Sequence, residues 1–187
     1  MIVRAVLIKC SASLARESSI RTKFMGAGLL LAIASTLVAT PSGASTQQTT
    51  FNVTANVSVN CTVFAADLEL GTYNVGSTQD LNAQTNVSVD CTNGANWELG
   101  LDKGLHGTDT SHRAMANDTE TTVLLNYAIY KDPARTLNWG NTTGVDTITG
   151  VGTGVVQDIG AYGQIPKRQT HVTAGGYTDT ITATLTF

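Results

Sequence analysis

The sequence of 187 residues is poor in cysteine, in proline and in charge, and these shortages exclude several classes of protein. It contains three cysteines, three prolines and three histidines, and only 13% of its residues are charged. The motifs G-x-S-x-G and H-E-x-x-H are absent, and the histidines lack the spacing that metal ligands need. We therefore expect no enzyme, with no catalytic residues, no metal site and no cofactor.

The amino-terminal region carries the only long uncharged apolar stretch. Residues 1–24 hold five basic residues and one acidic residue, and Met25–Ala39 is uncharged and mostly apolar. Small residues follow, with Ser42 and Ala44 at the −3 and −1 positions of a cleavage site after Ala44. This order predicts a cleaved signal peptide over residues 1–44. The alternative is a membrane anchor, but the apolar run of about 15 residues is short of the roughly 20 that span a bilayer.

The predicted mature chain is acidic and has room for one domain. Six of the 11 basic residues and 13 of the 14 acidic residues follow the leader, which gives a net charge of −7. This charge argues against nucleic acid and anionic membranes as partners, and we expect no membrane insertion after cleavage.

A heptapeptide occurs twice, as NVSVNCT at Asn56–Thr62 and as NVSVDCT at Asn86–Thr92. Cys10 leaves with the predicted leader, so Cys61 and Cys91 remain as an even pair in an exported chain. An oxidising compartment favours a disulfide between them. It would close a 30-residue loop and stabilise the fold by about 3.6 kcal/mol. The alternative is two buried free thiols.

Alternation of apolar and polar residues recurs in several segments of the predicted mature chain, which indicates β-strands rather than helices. The longest case is Phe51–Cys61, where eleven residues alternate without interruption. Both cysteines lie on the apolar faces of their segments and are expected to point inward. Regular strands separated by turns predict an all-β sandwich. The other predicted strands are 67–71, 85–91, 97–101, 122–130, 160–165 and 177–187.

The two tryptophans and the tyrosines are the candidates for contact with a sugar or another surface. Leu99 and Leu101 share the apolar face of Trp97, so we predict that Trp97 packs in the core instead. Trp139 precedes a segment rich in glycine, and the pattern leaves its role open.

Two linked runs of sequence resemble the spore coat U domain family. Leu124–Gly140 (LLNYAIYKDPARTLNWG) is similar to the family's Y-x-[IL]-Y strand, its D-x-A-R-T turn and its W-G pair. Tyr162–Phe187 is similar to the family's carboxy-terminal pattern of Y-G-x-I-P, G-x-Y-x-D-T and an alternating strand that ends on an aromatic residue. The family often continues W-G as W-G-D-G, whereas Asn141 and Thr142 follow here.

The resemblance implies an incomplete immunoglobulin-like β-sandwich that is completed by a donor strand. It implies a structural subunit of a chaperone–usher pilus of the archaic, Csu type, which is exported through the periplasm and polymerises by donor-strand exchange at the cell surface. The implied partners are a periplasmic chaperone, an outer-membrane usher and neighbouring pilin subunits. The predicted divisions are a signal peptide at 1–44, a donor-strand extension at 45–58 and the pilin domain at 59–187.

The apolar faces at the two ends of the chain supply the predicted donor and acceptor residues. No residues after Phe187 are expected to cover the edge of the last strand, which leaves an acceptor groove. The predicted donor residues are Phe51, Val53, Ala55, Val57 and Val59. The predicted acceptor residues are Tyr177, Ile181, Ala183, Leu185 and Phe187.

Two alternatives remain open at this point. Thr49–Val59 could be the first strand of the chain's own sandwich rather than a donor. The protein could also be a secreted protein of the spore-coat kind that binds a carbohydrate or another surface without polymerising.

Overall fold

The computed structural model describes residues 43–187, so the predicted signal peptide lies outside the described residues except for its last two positions. Within residues 43–187 all regular structure is β-strand. None of this part of the chain forms a helix long and apolar enough to cross a membrane. The prediction of an all-β fold is confirmed.

Nine strands in the described region build two antiparallel sheets. Six strands form one sheet in the order β1-β2-β7-β5-β4-β8, and the other sheet has the order β6-β3-β9. The strands are β1 (Cys61–Ala65), β2 (Leu81–Cys91), β3 (Asn96–Leu101), β4 (Arg113–Asn117), β5 (Leu124–Tyr130), β6 (Ile148–Val151), β7 (Gln157–Ile165), β8 (Tyr177–Thr178) and β9 (Ala183–Thr186).

The core lies between the two sheets and follows from the period-two pattern. In β2, Val87, Val89 and Cys91 are buried while the residues between them are more exposed. Alternate residues of a strand point to opposite faces, so one face of β2 meets the second sheet and the other meets solvent. Each aliphatic side chain buried in this way stabilises the fold by about 1.5–3 kcal/mol relative to exposure.

The two predictions about buried residues that the pattern supported are confirmed. Cys61 and Cys91 form a disulfide, and they are direct register partners of β1 and β2 with their Cα atoms 4.1 Å apart. Trp97 is buried on the inner face of β3. Trp139, which the pattern left open, is fully buried, and its indole Nε1 donates a hydrogen bond of 3.1 Å to the Leu99 carbonyl oxygen.

Three predicted strands differ from the structure. Residues 67–71 form no strand, because Leu68 and Leu70 turn inward and pack over Gly163 instead of pairing. A Cβ on Gly163 would lie 2.7 Å from Leu68 Cδ2 and 2.9 Å from Leu70 Cδ2, so glycine makes this packing possible. The alternating run Phe51–Cys61 joins a strand only at its last residue, and 177–187 is paired only at β8 and β9.

Candidate strand-accepting groove

The segment that contains β8 and β9 changes from one sheet to the other. Asn117 and Ala116 of β4 pair with β8, whereas β9 pairs with β3 of the three-stranded sheet. Residues 179–182, between the two strands, belong to neither ladder. One continuous segment therefore spans both sheets here.

Two cavities lie along this segment, each lined by apolar and polar side chains. One has a volume of about 410 Å³ and the other about 920 Å³. Leu68, Leu70, Met115 and Tyr177 line both, so the cavities adjoin and are treated together as one groove. We call this the acceptor groove.

The far wall of the acceptor groove continues from strand β1. Ala65 ends β1, and the unpaired segment 66–75 follows it along the groove. The strand order makes β1 an edge of the six-stranded sheet and β9 an edge of the three-stranded sheet. The first cavity, whose wall includes Ala65 of β1 and Ala183 of β9, therefore lies between two sheet edges, and an edge can pair with another strand.

Carboxylates fix the unpaired stretch 179–182 to the body of the sandwich. Asp179 accepts hydrogen bonds from the Leu105 amide (2.8 Å) and from the Tyr127 hydroxyl (2.6 Å). Burial, together with the hydrogen bond to Asp179 and its charge, raises the pKa of Tyr127 well above its ordinary value. The Tyr127 phenol therefore stays protonated at physiological pH and donates the hydrogen bond to Asp179.

Asp102 holds the same stretch from the end of β3. Its Oδ1 accepts hydrogen bonds from the backbone amides of Thr182 (2.9 Å) and Gly104 (3.0 Å). Burial raises the pKa of the Asp102 carboxyl, but these hydrogen bonds and the charge of Arg113 lower it by more, and the net shift is downward. The carboxylate is thus the form that the folded state stabilises.

Arg113 links the two sheets beside the groove. Its side chain is fully buried and donates hydrogen bonds to the carbonyl oxygens of Asp102 (2.8 Å), Leu101 (3.1 Å) and Trp139 (2.7 Å). Charged donors make stronger hydrogen bonds than neutral ones. Arg113 therefore joins β4 to the end of β3 and to the segment that carries Trp139.

The residues before β1 are exposed and belong to no strand. The exposed fraction is 84% for Phe51, 84% for Val53, 86% for Val57 and 55% for Val59, and Ala55 is exposed as well. Soluble proteins usually expose large apolar side chains singly, so four of them in one short segment are unusual. This segment, residues 51–59, is called the alternating segment below.

The structure brings three of the five predicted acceptor residues into the groove. Tyr177, Ile181 and Ala183 line it. Leu185 packs against the core without lining the groove, and Phe187 is 59% exposed beside Trp97 on the three-stranded sheet. Their role as acceptors, that of the alternating segment as donor, and the domain boundary at residue 58 all stay predictions.

Sequence reasoning missed the polar residues that hold the groove in place. Arg113, Met115 and Asn117 alternate with two alanines, a pattern that signals an inward-facing Arg113 once β4 is assigned.

The D-P-A-R-T turn is structural as well. Asp132 accepts hydrogen bonds from the amides of Thr136 and Leu137, and Arg135 adopts a φ of 57°.

Comparison with known proteins gives consistent results for sequence and fold. A family model described as Spore Coat Protein U domain matches residues 47–184. Protein U of Myxococcus xanthus is 32% identical over 169 residues, which cover 83% of this chain and 93% of Protein U.

A similar solved structure is a chain of the CsuC–CsuE chaperone–tip adhesion subunit pre-assembly complex from archaic chaperone–usher Csu pili of Acinetobacter baumannii. The TM-score is 0.51 at 21% sequence identity, over 70% of this chain and 40% of that chain. This chain thus spans two fifths of the length of that protein. At this identity the likeness supports the immunoglobulin-like fold and nothing finer.

Proposed function

Because the chain belongs to the Spore Coat Protein U domain family, we propose that it is a structural subunit of a chaperone–usher pilus that polymerises by donor-strand exchange. In this proposal the alternating segment of one subunit fills the acceptor groove of the next. A periplasmic chaperone occupies the groove before assembly, and an outer-membrane usher exports the subunit to the cell surface.

One observation carries the proposal: an open apolar groove and an exposed segment of matching pattern occur in the same chain. The groove is bordered by two sheet edges and lined by apolar side chains such as Leu68, Leu70 and Met115. The alternating segment presents an apolar residue at every second position and is neutral throughout. An extended peptide that adds to a sheet edge needs this alternation, since every second side chain enters the groove.

The burial energy is comparable with the cost of association. Transfer of the four large apolar side chains from water into the groove contributes roughly 6–12 kcal/mol, and Ala55 adds less. This is an upper bound because the free segment is not fully extended. Backbone hydrogen bonds to the sheet edges add to this. Association costs of about 4–15 kcal/mol oppose it. A contact of this head-to-tail kind does not close on itself, so repetition produces a filament.

The open groove also gives a reason for a chaperone. An uncovered sheet edge beside apolar side chains is a template for aggregation. A strand supplied by a chaperone would cover the groove until a neighbouring subunit replaces it. The proposal therefore predicts low solubility of the exported chain when it is produced without its chaperone.

The parity of the alternating segment provides the decisive test. Val53→Asp and Thr54→Asp place the same charge on adjacent residues that are both exposed before assembly. In a donor strand Val53 enters the groove and Thr54 faces solvent. We expect Val53→Asp to abolish polymers, because burial of an unpaired carboxylate costs several kcal/mol, and Thr54→Asp to leave them intact. Polymers are measured by size-exclusion chromatography and electron microscopy after co-expression with the chaperone.

A complementary variant blocks the acceptor. Ile181→Arg places a charge in the groove and leaves the alternating segment unchanged. Neither Ile181→Arg nor Val53→Asp should polymerise alone. The chaperone strand occupies the same groove, so Ile181→Arg should also lose chaperone binding, and when it is mixed with chaperone-bound Val53→Asp the two should form dimers and nothing longer. The proposal would be contradicted if Thr54→Asp abolished polymers as fully as Val53→Asp does, or if a stable monomer formed without a chaperone. Either result would favour a coat-like protein that does not polymerise.

A further inference from the structure

The outer face of the six-stranded sheet has an unusual composition for an exposed surface. The residues that point to solvent from β2, β7 and β5 include five amides and two tyrosines, and Asp90 and Asp158 lie toward one end of the same face. Register places these side chains in rows across the sheet. One row is Gln84, Tyr162 and Tyr130, and the next is Asn82, Gln164 and Ala128.

The Tyr162 ring lies along this face rather than projecting from it. A Cβ on Gly160, two residues earlier on the same face, would be 2.7 Å from the Tyr162 hydroxyl oxygen and 2.9 Å from Cζ. Glycine at this position therefore makes room for the ring against the sheet. The Arg135 guanidinium lies 5.9 Å from the ring centroid and is itself held by the carbonyl oxygens of Ala83 and Gly163.

The second tyrosine is oriented by its neighbours. The Tyr130 hydroxyl donates to Gln164 Oε1 (3.4 Å), and Gln164 Nε2 donates to Asn82 Oδ1 (3.1 Å). Gln84 and Asn86 are exposed in the adjacent positions of β2, and each carries both a donor and an acceptor. The face thus combines two ordered aromatic rings with a border of amide groups.

We propose that this face binds an uncharged polysaccharide. The carbon–hydrogen faces of a sugar ring match the negative face of an aromatic ring, and neighbouring hydroxyl groups match amides that donate and accept hydrogen bonds. This site lies on the outside of the sandwich, away from the groove-lining residues, and does not depend on polymerisation.

The charge and shape of the face favour this class of ligand over others. Apart from Arg135, whose guanidinium is tied to carbonyl oxygens, this face has no basic side chain, because the charged residues that point outward from its three strands are Asp90 and Asp158. Phosphates of a nucleic acid therefore find no positive surface there. Protein interfaces need a desolvated apolar centre. The exposed valines of the described region, such as Val151 and Val155, lie outside the three strands that carry the rows.

The test measures binding of defined neutral oligosaccharides to the exported full-length mature chain. Cellohexaose and chitohexaose are titrated by calorimetry, with heparin as an anionic contrast. We expect Tyr162→Ala to weaken binding about tenfold, as loss of one aromatic stacking contact predicts, and Tyr162→Phe to retain it. Gln84→Ala, at an exposed position that tolerates truncation, should also weaken it. Val151→Ala, on the other sheet, is the matched control and should bind normally.

Four results would overturn the proposal. These are absence of binding to both neutral hexasaccharides at millimolar concentration, tighter binding of heparin, and equal weakening in Val151→Ala. The fourth is a change in sedimentation of the Tyr162→Ala protein without a change in sugar binding, because the face would then be a contact between copies of the chain.

Discussion

Removal of the Cys61–Cys91 disulfide is expected to lower the free energy of unfolding by about 3.6 kcal/mol. The bond joins residues 30 apart in sequence, and the chain-entropy model gives this value for a loop of that length. The two residues are direct register partners in the ladder between β1 and β2, so the bond adds to pairing that already exists. It is also the covalent anchor of β1, an edge strand with one neighbour.

Equilibrium urea denaturation of the exported chain measures this effect. The double variant Cys61→Ala/Cys91→Ala is preferred to serine, because a buried hydroxyl adds a cost of its own. With a urea slope of about 2 kcal/mol/M, the midpoint should fall by roughly 1.8 M. Reductant should lower the urea midpoint of the wild type by a similar amount and leave the midpoint of the double variant unchanged. A shift below about 0.4 M in the double variant would refute the reasoning.

Three further predictions concern the groove and its supports. Arg113→Lys should cost about 3 kcal/mol in thermal unfolding, because an ammonium group cannot reproduce three hydrogen bonds to separate carbonyl oxygens, whereas an unchanged melting temperature would contradict this role. The lowered pKa of Asp102 means that its stabilisation is complete above the ordinary value of 3.8 and is lost as the pH falls through the lower folded pKa. Below about pH 5, the urea midpoint of the wild type should therefore fall more steeply with decreasing pH than the midpoint of Asp102→Asn. Gly140→Ala should cost about 1–3 kcal/mol in urea denaturation because its Cβ would overlap the Asp146 carboxylate, while Gly76→Ala, with no such overlap, should cost far less.

Strand parity made much of the fold predictable. It placed Cys61, Cys91 and Trp97 on inward faces, and each is buried as expected. Parity reports which way a side chain points but not which strand lies beside it. This is why residues 67–71 were wrongly predicted as a strand, although the inward direction of Leu68 and Leu70 follows from the same pattern.

The acceptor groove was predictable only in part, because it depends on pairing between distant segments. The apolar face of 177–187 indicated Tyr177, Ile181 and Ala183. The change of sheet between β8 and β9 could not be foreseen, and it separates Phe187 from the groove. Asp102 and Arg113 were missed for a related reason: each acts on backbone groups more than ten residues away, and these leave no local signal.

The connection between the alternating segment and β1 favours pairing between subunits over pairing within one. Asn60 already continues the ladder: its amide donates to Thr92 Oγ1 (3.0 Å), and its carbonyl accepts from the Thr92 amide (2.9 Å). To fill the groove beside its own β1, the segment would have to reverse direction at Val59 and Asn60. Two-residue hairpin turns need a positive φ at the first position, which a β-branched valine resists. The ladder at Asn60 and the side chain of Val59 thus disfavour a tight reversal into the segment's own groove, which agrees with the proposal that the segment fills the groove of a second copy.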